Sequence, residues 1–203
     1  MRLNYDNPVI VLLRKVLSCL LLGFLWILSC LLILPGGIGT TAVYYAIEKH
    51  ILREEEHTLS CFFRSFQENV WISSMVWFPF LFIGLFLAWD FTFFLPLYQA
   101  GRWQGYLCFP IAILLLLLVL TAVYTFSYIA RFRDTAKASV KNGFLLMLSS
   151  PGMNLKLIGI FALFILAALM NPIVAILYAG IGWWLIVVNM EKVFRKIQRA
   201  QDS

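Results

Sequence analysis

Gly36-Gly37-Ile38-Gly39-Thr40-Thr41 sets three glycines before two hydroxyl side chains. A turn of this composition leading into a helix exposes free backbone N–H groups, which attract an anion or a sugar hydroxyl. Thr40 or Thr41 suits the cap position, where a side-chain oxygen accepts one of those donors. The same residues also make an ordinary tight turn. His50, Glu54 and His57 fall at i, i+4 and i+7 on one helical face, and Glu54-x-x-His57 has the spacing of di-metal bundles. Such bundles need a second copy of the motif and further carboxylates, which the sequence lacks. A solvated polar face therefore explains the trio, and neither a metal nor a cofactor is expected. Arg53, Glu54 and Glu55, followed by Phe62, Phe63 and Phe66, offer a charged and aromatic surface for docking a partner, or else a helix end that anchors itself. Arg133, Lys137 and Lys141 recur at i, i+4, i+8 and suit anionic headgroups or a partner, although simple cytoplasmic anchoring accounts for their charge equally well.

Catalytic signatures are missing. The sequence has no HExxH, GxSxG or Walker A motif and no paired carboxylates within an apolar run. Catalysis would fall to hydroxyls and amides alone, so a non-enzyme is expected. Cys19, Cys30, Cys61 and Cys108 show no metal-type spacing and read as small hydrophobes. Cys30 and Cys108 are the pair that could meet near the outer face.

The elements that carry these residues follow from composition. Of 203 residues, 62% are apolar and only 13% charged, with a mean hydropathy of +0.88. A soluble domain is near half apolar and a quarter charged. There is too little polar surface here for a water-soluble globule, which excludes a cytosolic enzyme or a DNA-binding domain. The expected fold is a single all-α membrane domain over 1–203, a polytopic helical bundle. Its membrane helices are expected at about 16–34, 40–57 (the short second one), 70–89, 107–130, 155–170 and 172–190. Interfacial helices are expected at about 58–69 and 131–148, the second with a stripe of Phe132, Ala136, Val140, Phe144 and Leu148. Pro79 and Gly84 predict a kink or a close helix contact in the third span. The apolar block Leu155–Val188 would reach about 51 Å as one helix, against a ~30 Å hydrocarbon core. Asn171-Pro172 divides it, with Asn171 as cap and Pro172 at the first helical position.

Charge sets the orientation. The net charge is +6, and the basic residues cluster in connections between apolar runs. If residues 38–57 did not return across the bilayer, Arg131, Arg133, Lys137, Lys141 and Lys156 would lie outside. With the first two helices as a hairpin, every basic residue except Arg102 faces the cytoplasm. Six helices with both termini cytoplasmic is the arrangement this predicts.

Asn7-Pro8, Pro35, the block Gly39-Thr40-Thr41-Ala42-Val43-Tyr44-Tyr45, Arg53-Glu54-Glu55, Phe62–Phe66–Asn69, Ala130-Arg131-Phe132 and Lys141-Asn142-Gly143 form a pattern spread over most of the chain. It resembles the YesL family of small bacterial multi-pass proteins of unknown function. Members are often encoded beside carbohydrate ABC importers and polysaccharide-degrading enzymes, chiefly in Gram-positive bacteria. The resemblance implies a cell-membrane protein with a role near sugar uptake, and it supplies no catalytic residues. The expected function is an accessory subunit that contacts the permeases of a carbohydrate ABC-type importer, with the lipid bilayer as its other partner and no nucleic acid. The alternative is a small sugar or organic-acid transporter or channel built around the Gly-rich turn.

Overall fold

A computed structural model describes residues 8–32, 35–52, 57–132 and 134–201, and within them every regular element is helical. The order is α1 (Pro8–Leu31), α2 (Gly36–Ala46) running on as a π-helical segment (Ile47–Leu52), α3 (Thr58–Gln99), a 3₁₀ turn (Trp103–Leu107), α4 (Cys108–Arg131), α5 (Ala136–Ser149), α6 (Pro151–Met170) and α7 (Pro172–Gln201). Five of these helices are long and apolar enough to cross a bilayer. The short α2 is not one of them, yet it lies at the centre: α1, α3, α4 and α7 all pack on it. All its residues but Thr40 and Tyr45 are buried.

Small side chains let the helices close on one another. A Cβ on Gly180 would sit 2.1 Å from the Cys19 carbonyl oxygen, and one on Gly23 would sit 2.3 Å from the Gly180 nitrogen. Glycine is thus required where α1 crosses α7, because the two backbones touch there. Asn171 breaks the last apolar block: its Oδ1 accepts the Ile173 N–H at 2.8 Å, and Pro172 occupies the first helical position. All four cysteines are free.

Several boundaries differ from expectation. The predicted interfacial helix 58–69 and membrane helix 70–89 are one helix, α3, of 42 residues. The change from amphipathic to apolar sequence near residue 69 marks a change of surroundings. No glycine or proline stands there to end the helix, and Pro79 is accommodated inside it. The second helix begins at Gly36 rather than residue 40, and α7 continues to Gln201 rather than ending at 190. In α5 the buried seam is Ser139, Gly143 and Met147, whereas Phe144 and Leu148 of the expected stripe are exposed.

Candidate functional site

Gly36, Gly37 and Gly39 do not form an open turn. They make the first turn of α2 and are buried, with Gly39 N–H donating to Pro35 O at 2.7 Å. A Cβ on Gly37 would meet Trp77 at 2.7 Å and the Phe126 ring at 2.8 Å, and one on Gly39 would meet Ser29 at 2.4 Å. The glycines admit these neighbouring side chains at close range. Thr40 and Thr41 are not caps either; Pro35 holds the cap position. Thr40 Oγ1 donates to Gly36 O at 2.9 Å and accepts Trp26 Nε1–H at 3.0 Å. Thr41 Oγ1 donates to Gly37 O and shares a 3.0 Å hydrogen bond with Ser73 Oγ. Hydroxyls buried away from water must find such partners, and the i−4 carbonyl is the nearest acceptor.

The expected docking surface divides. Arg53, Glu54 and Glu55 lie outside the described residues. Phe62 is buried in the core with its ring centre 6.1 Å from that of Phe66, leaving Phe63 as the exposed member of the three. Phe62 belongs to the same buried cluster as Leu22, Tyr44 and Ile47, so this part of α3 does not lie alone at an interface. Arg133 also lies outside the described residues, while Lys137 and Lys141 are exposed on α5. His50 reaches Ser18 at 3.4 Å, and Thr58 donates to the same Ser18 at 3.0 Å. His50 thereby joins the π segment to α1 and α3. Glu54 is outside the described residues, and among those described no group of three or more His, Cys, Asp or Glu is placed to hold a metal.

A polar cluster that the sequence reading passed over joins α2, α4 and α7. Tyr44 donates its hydroxyl to Glu191 Oε1 at 2.8 Å, and Arg131 Nη1 bonds the other carboxylate oxygen. Arg131 Nη2 donates to Gln198 Oε1 at 2.9 Å. The guanidinium carbon lies 5.4 Å from the Phe194 ring centre and 5.7 Å from that of Phe132. Only 5% of the Glu191 side chain and 13% of Arg131 reach solvent. Both carboxylate oxygens are occupied by donors, so the cluster ties three helices together. The signal was present in the sequence: Val187, Met190, Glu191 and Phe194 continue one buried helical stripe into the basic tail.

The far part of the hairpin formed by α3 and α4 is organised differently. Beyond Val76 no residue of α3 is buried, and from Phe109 to Val119 none of α4 is. A groove of about 220 Å³ between the two helices is lined by apolar residues that include Trp77, Phe80 and Gly84 on α3 and Leu115, Leu118 and Ala122 on α4. At 1.5 Å per residue, α3 measures about 63 Å and its Phe78–Gln99 portion about 33 Å. That portion alone matches the ~30 Å hydrocarbon thickness. Just beyond its end stand exposed Trp103 and Tyr106, residue types that favour a membrane–water interface. At its base, a groove of about 510 Å³ is lined by Glu68, Asn69, Trp71, Ile129, Phe132 and Asp134.

Together these features define a multi-pass helical membrane protein with a tightly tied centre and a two-helix arm. Residues 19–91, which take in the second half of α1, all of α2 and much of α3, match the family described as a protein of unknown function, DUF624. No curated protein and no solved structure matches the chain.

Proposed function

We propose that this chain is a non-enzymatic accessory subunit that acts by contact with another integral membrane protein through the α3–α4 arm. In this reading six helices cross the membrane of a Gram-positive cell, the second of them short, and both termini are cytoplasmic. The partner is a permease subunit of a carbohydrate ABC-type importer, as the resemblance to the YesL family implies. The arm is the observation that carries the proposal: among the described residues, none of α3 beyond Val76 and none of α4 from Phe109 to Val119 is buried. Apolar helices in lipid gain little from lateral association unless packing or polar groups reward it. An arm of this length serves best as a docking element. The second reading is a small sugar or organic-acid carrier or channel centred on Gly36–Thr41, where neighbouring side chains approach the glycines closely.

Purification in mild detergent tests the reading. The importer's permeases should co-purify, and deletion of the gene should slow sugar uptake. Recovery of the chain alone, with uptake unchanged in the deletion strain, would refute it.

A further inference from the structure

Beside the crossing of α1 and α7, where the Cys19 carbonyl meets Gly180, lies a groove of about 470 Å³. Its lining includes Lys15, Val16 and Cys19 of α1, Leu52 of the π segment, and Ile181 and Trp184 of α7. Val16, Ile181 and Trp184 are exposed on two helices that are both long and apolar enough to cross a bilayer, so the groove opens toward lipid. Lys15 stands immediately before the uncharged run Val16–Leu34, which measures about 28 Å and matches the hydrocarbon core. Its ammonium therefore lies at the level of the lipid headgroups, where a cation is at ease. Lys15 is the one charged residue in the lining, and no side chain there carries an oxygen. Trp184 brings a second donor, an indole N–H with no acceptor among the described residues. Lys15 also interacts within the chain, but an ammonium has three donors and one contact does not exhaust it. The groove thus presents donors without acceptors, a single positive charge, and otherwise apolar walls.

We infer that this groove binds an anionic phospholipid of the bilayer, with the phosphate on Lys15 and an acyl chain along Val16, Cys19 and Ile181. Such a lipid is the complement of the lining: its phosphate and ester oxygens are acceptors, its net charge is negative and its tail is apolar. A zwitterionic lipid has the same tail without the net charge, so Lys15 should favour the anionic one about fivefold, the weight of one basic residue at a charged surface. The site is separate from the α3–α4 arm and does not depend on the arm having a partner. Fluorescence quenching tests it, because bromine on an acyl chain quenches a tryptophan in contact with it. The full chain is reconstituted in phosphatidylcholine vesicles containing a minor fraction of brominated phosphatidylglycerol or of brominated phosphatidylcholine. The emission of Trp184 is the difference between the wild type and Trp184→Phe. It should be quenched by brominated phosphatidylglycerol at about one-fifth of the mole fraction that brominated phosphatidylcholine requires. Lys15→Gln should remove this preference and Lys15→Arg should keep it. Arg14→Gln should also keep it, because the neighbouring Arg14 does not line the groove. Equal quenching by the two lipids in the wild type overturns the inference and leaves an unselective lipid-facing surface. A preference that survives Lys15→Gln, or one lost in Arg14→Gln, overturns it in favour of general attraction to a basic face. Trp184 quenched by neither lipid overturns it too, since the groove is then covered by protein. The wild-type comparison and Arg14→Gln decide the matter even where Lys15→Gln does not fold.

Discussion

Glu191→Leu should be among the most damaging single substitutions in this protein. The Glu191 side chain is 5% exposed and that of Arg131 13%, so neither charge can fall back on water when its partner is removed. Removing one member of a buried pair costs about 3–5 kcal/mol, because the remaining charge stays buried and uncompensated. For a chain of this size each kcal/mol moves the unfolding midpoint by about 2–4 °C, which places the loss at about 6–20 °C. Arg131→Met should cost a similar amount by stranding the carboxylate. The double substitution Arg131→Met with Glu191→Leu should recover much of the loss, since well-packed apolar replacements for a buried ion pair are often near neutral. The Tyr44 hydroxyl would still lack its acceptor, at about 1–3 kcal/mol, and adding Tyr44→Phe should relieve that remainder. Thermal unfolding in detergent micelles, followed by intrinsic tryptophan fluorescence, reads all four variants. Single losses below about 1 kcal/mol, adding without coupling in the double variant, would refute the idea that this cluster ties the helices together.

Other perturbations separate the remaining claims. Gly180→Ala should destabilise by about 3 kcal/mol or more, because its Cβ would lie 2.1 Å from the Cys19 carbonyl and helix backbones cannot yield as side chains do. Gly159→Ala, inside α6 with nothing within 4 Å, should leave the midpoint unlowered or raise it slightly in the same assay. Asn171→Ala removes the acceptor of the Ile173 N–H at the start of α7 and should cost about 0.5–2 kcal/mol by the same measurement. Single cysteines at Lys137 and Arg195, in a background lacking the four native cysteines, should react with impermeant thiol reagents only after the cytoplasmic side is opened. Labelling of either from outside intact cells would overturn the orientation derived from charge.

The class of fold was legible because the solvent imposes it. With so few charges, long apolar runs have nowhere to go but the bilayer, and in the bilayer backbone groups must be satisfied within helices. The division at Asn171-Pro172 was legible because a cap and a helix-starting proline stand together. Continuity of α3 was not, since an amphipathic stretch joined to an apolar one looks like two elements when only periodicity is read. The burial of Gly36, Gly37 and Gly39 depends on Trp77, Phe126 and Ser29, which arrive from three other places in the chain. Nothing local distinguishes such glycines from those of an open turn. Glu191 fell to a similar ambiguity: among Lys192, Arg195 and Lys196 it looks like one more solvated charge. Only its register with Val187, Met190 and Phe194 marks it as facing inward.

The polar ties between helices separate two parts of the molecule. Trp26–Thr40, Thr41–Ser73, Tyr44–Glu191 and Arg131–Glu191 all converge on α2 or its immediate neighbours. Beyond Trp77, α3 and α4 are held by an apolar seam centred on Gly84 and Leu118. Local opening follows the density of buried contacts, so the centre and the arm should differ in protection even though both are continuous helix. Hydrogen exchange in detergent micelles should find the amides of Thr41–Ala46 among the slowest in the chain. Those of Leu85–Gln99 should exchange markedly faster, despite belonging to a longer and more apolar helix. Binding of a lateral partner to the arm would then slow Leu85–Gln99 selectively and leave α2 unchanged, because the centre is already tied. Equal protection of the two segments in the isolated chain would mean that the seam between α3 and α4 is sufficient in itself, and the case for an arm awaiting a partner would lose its physical basis.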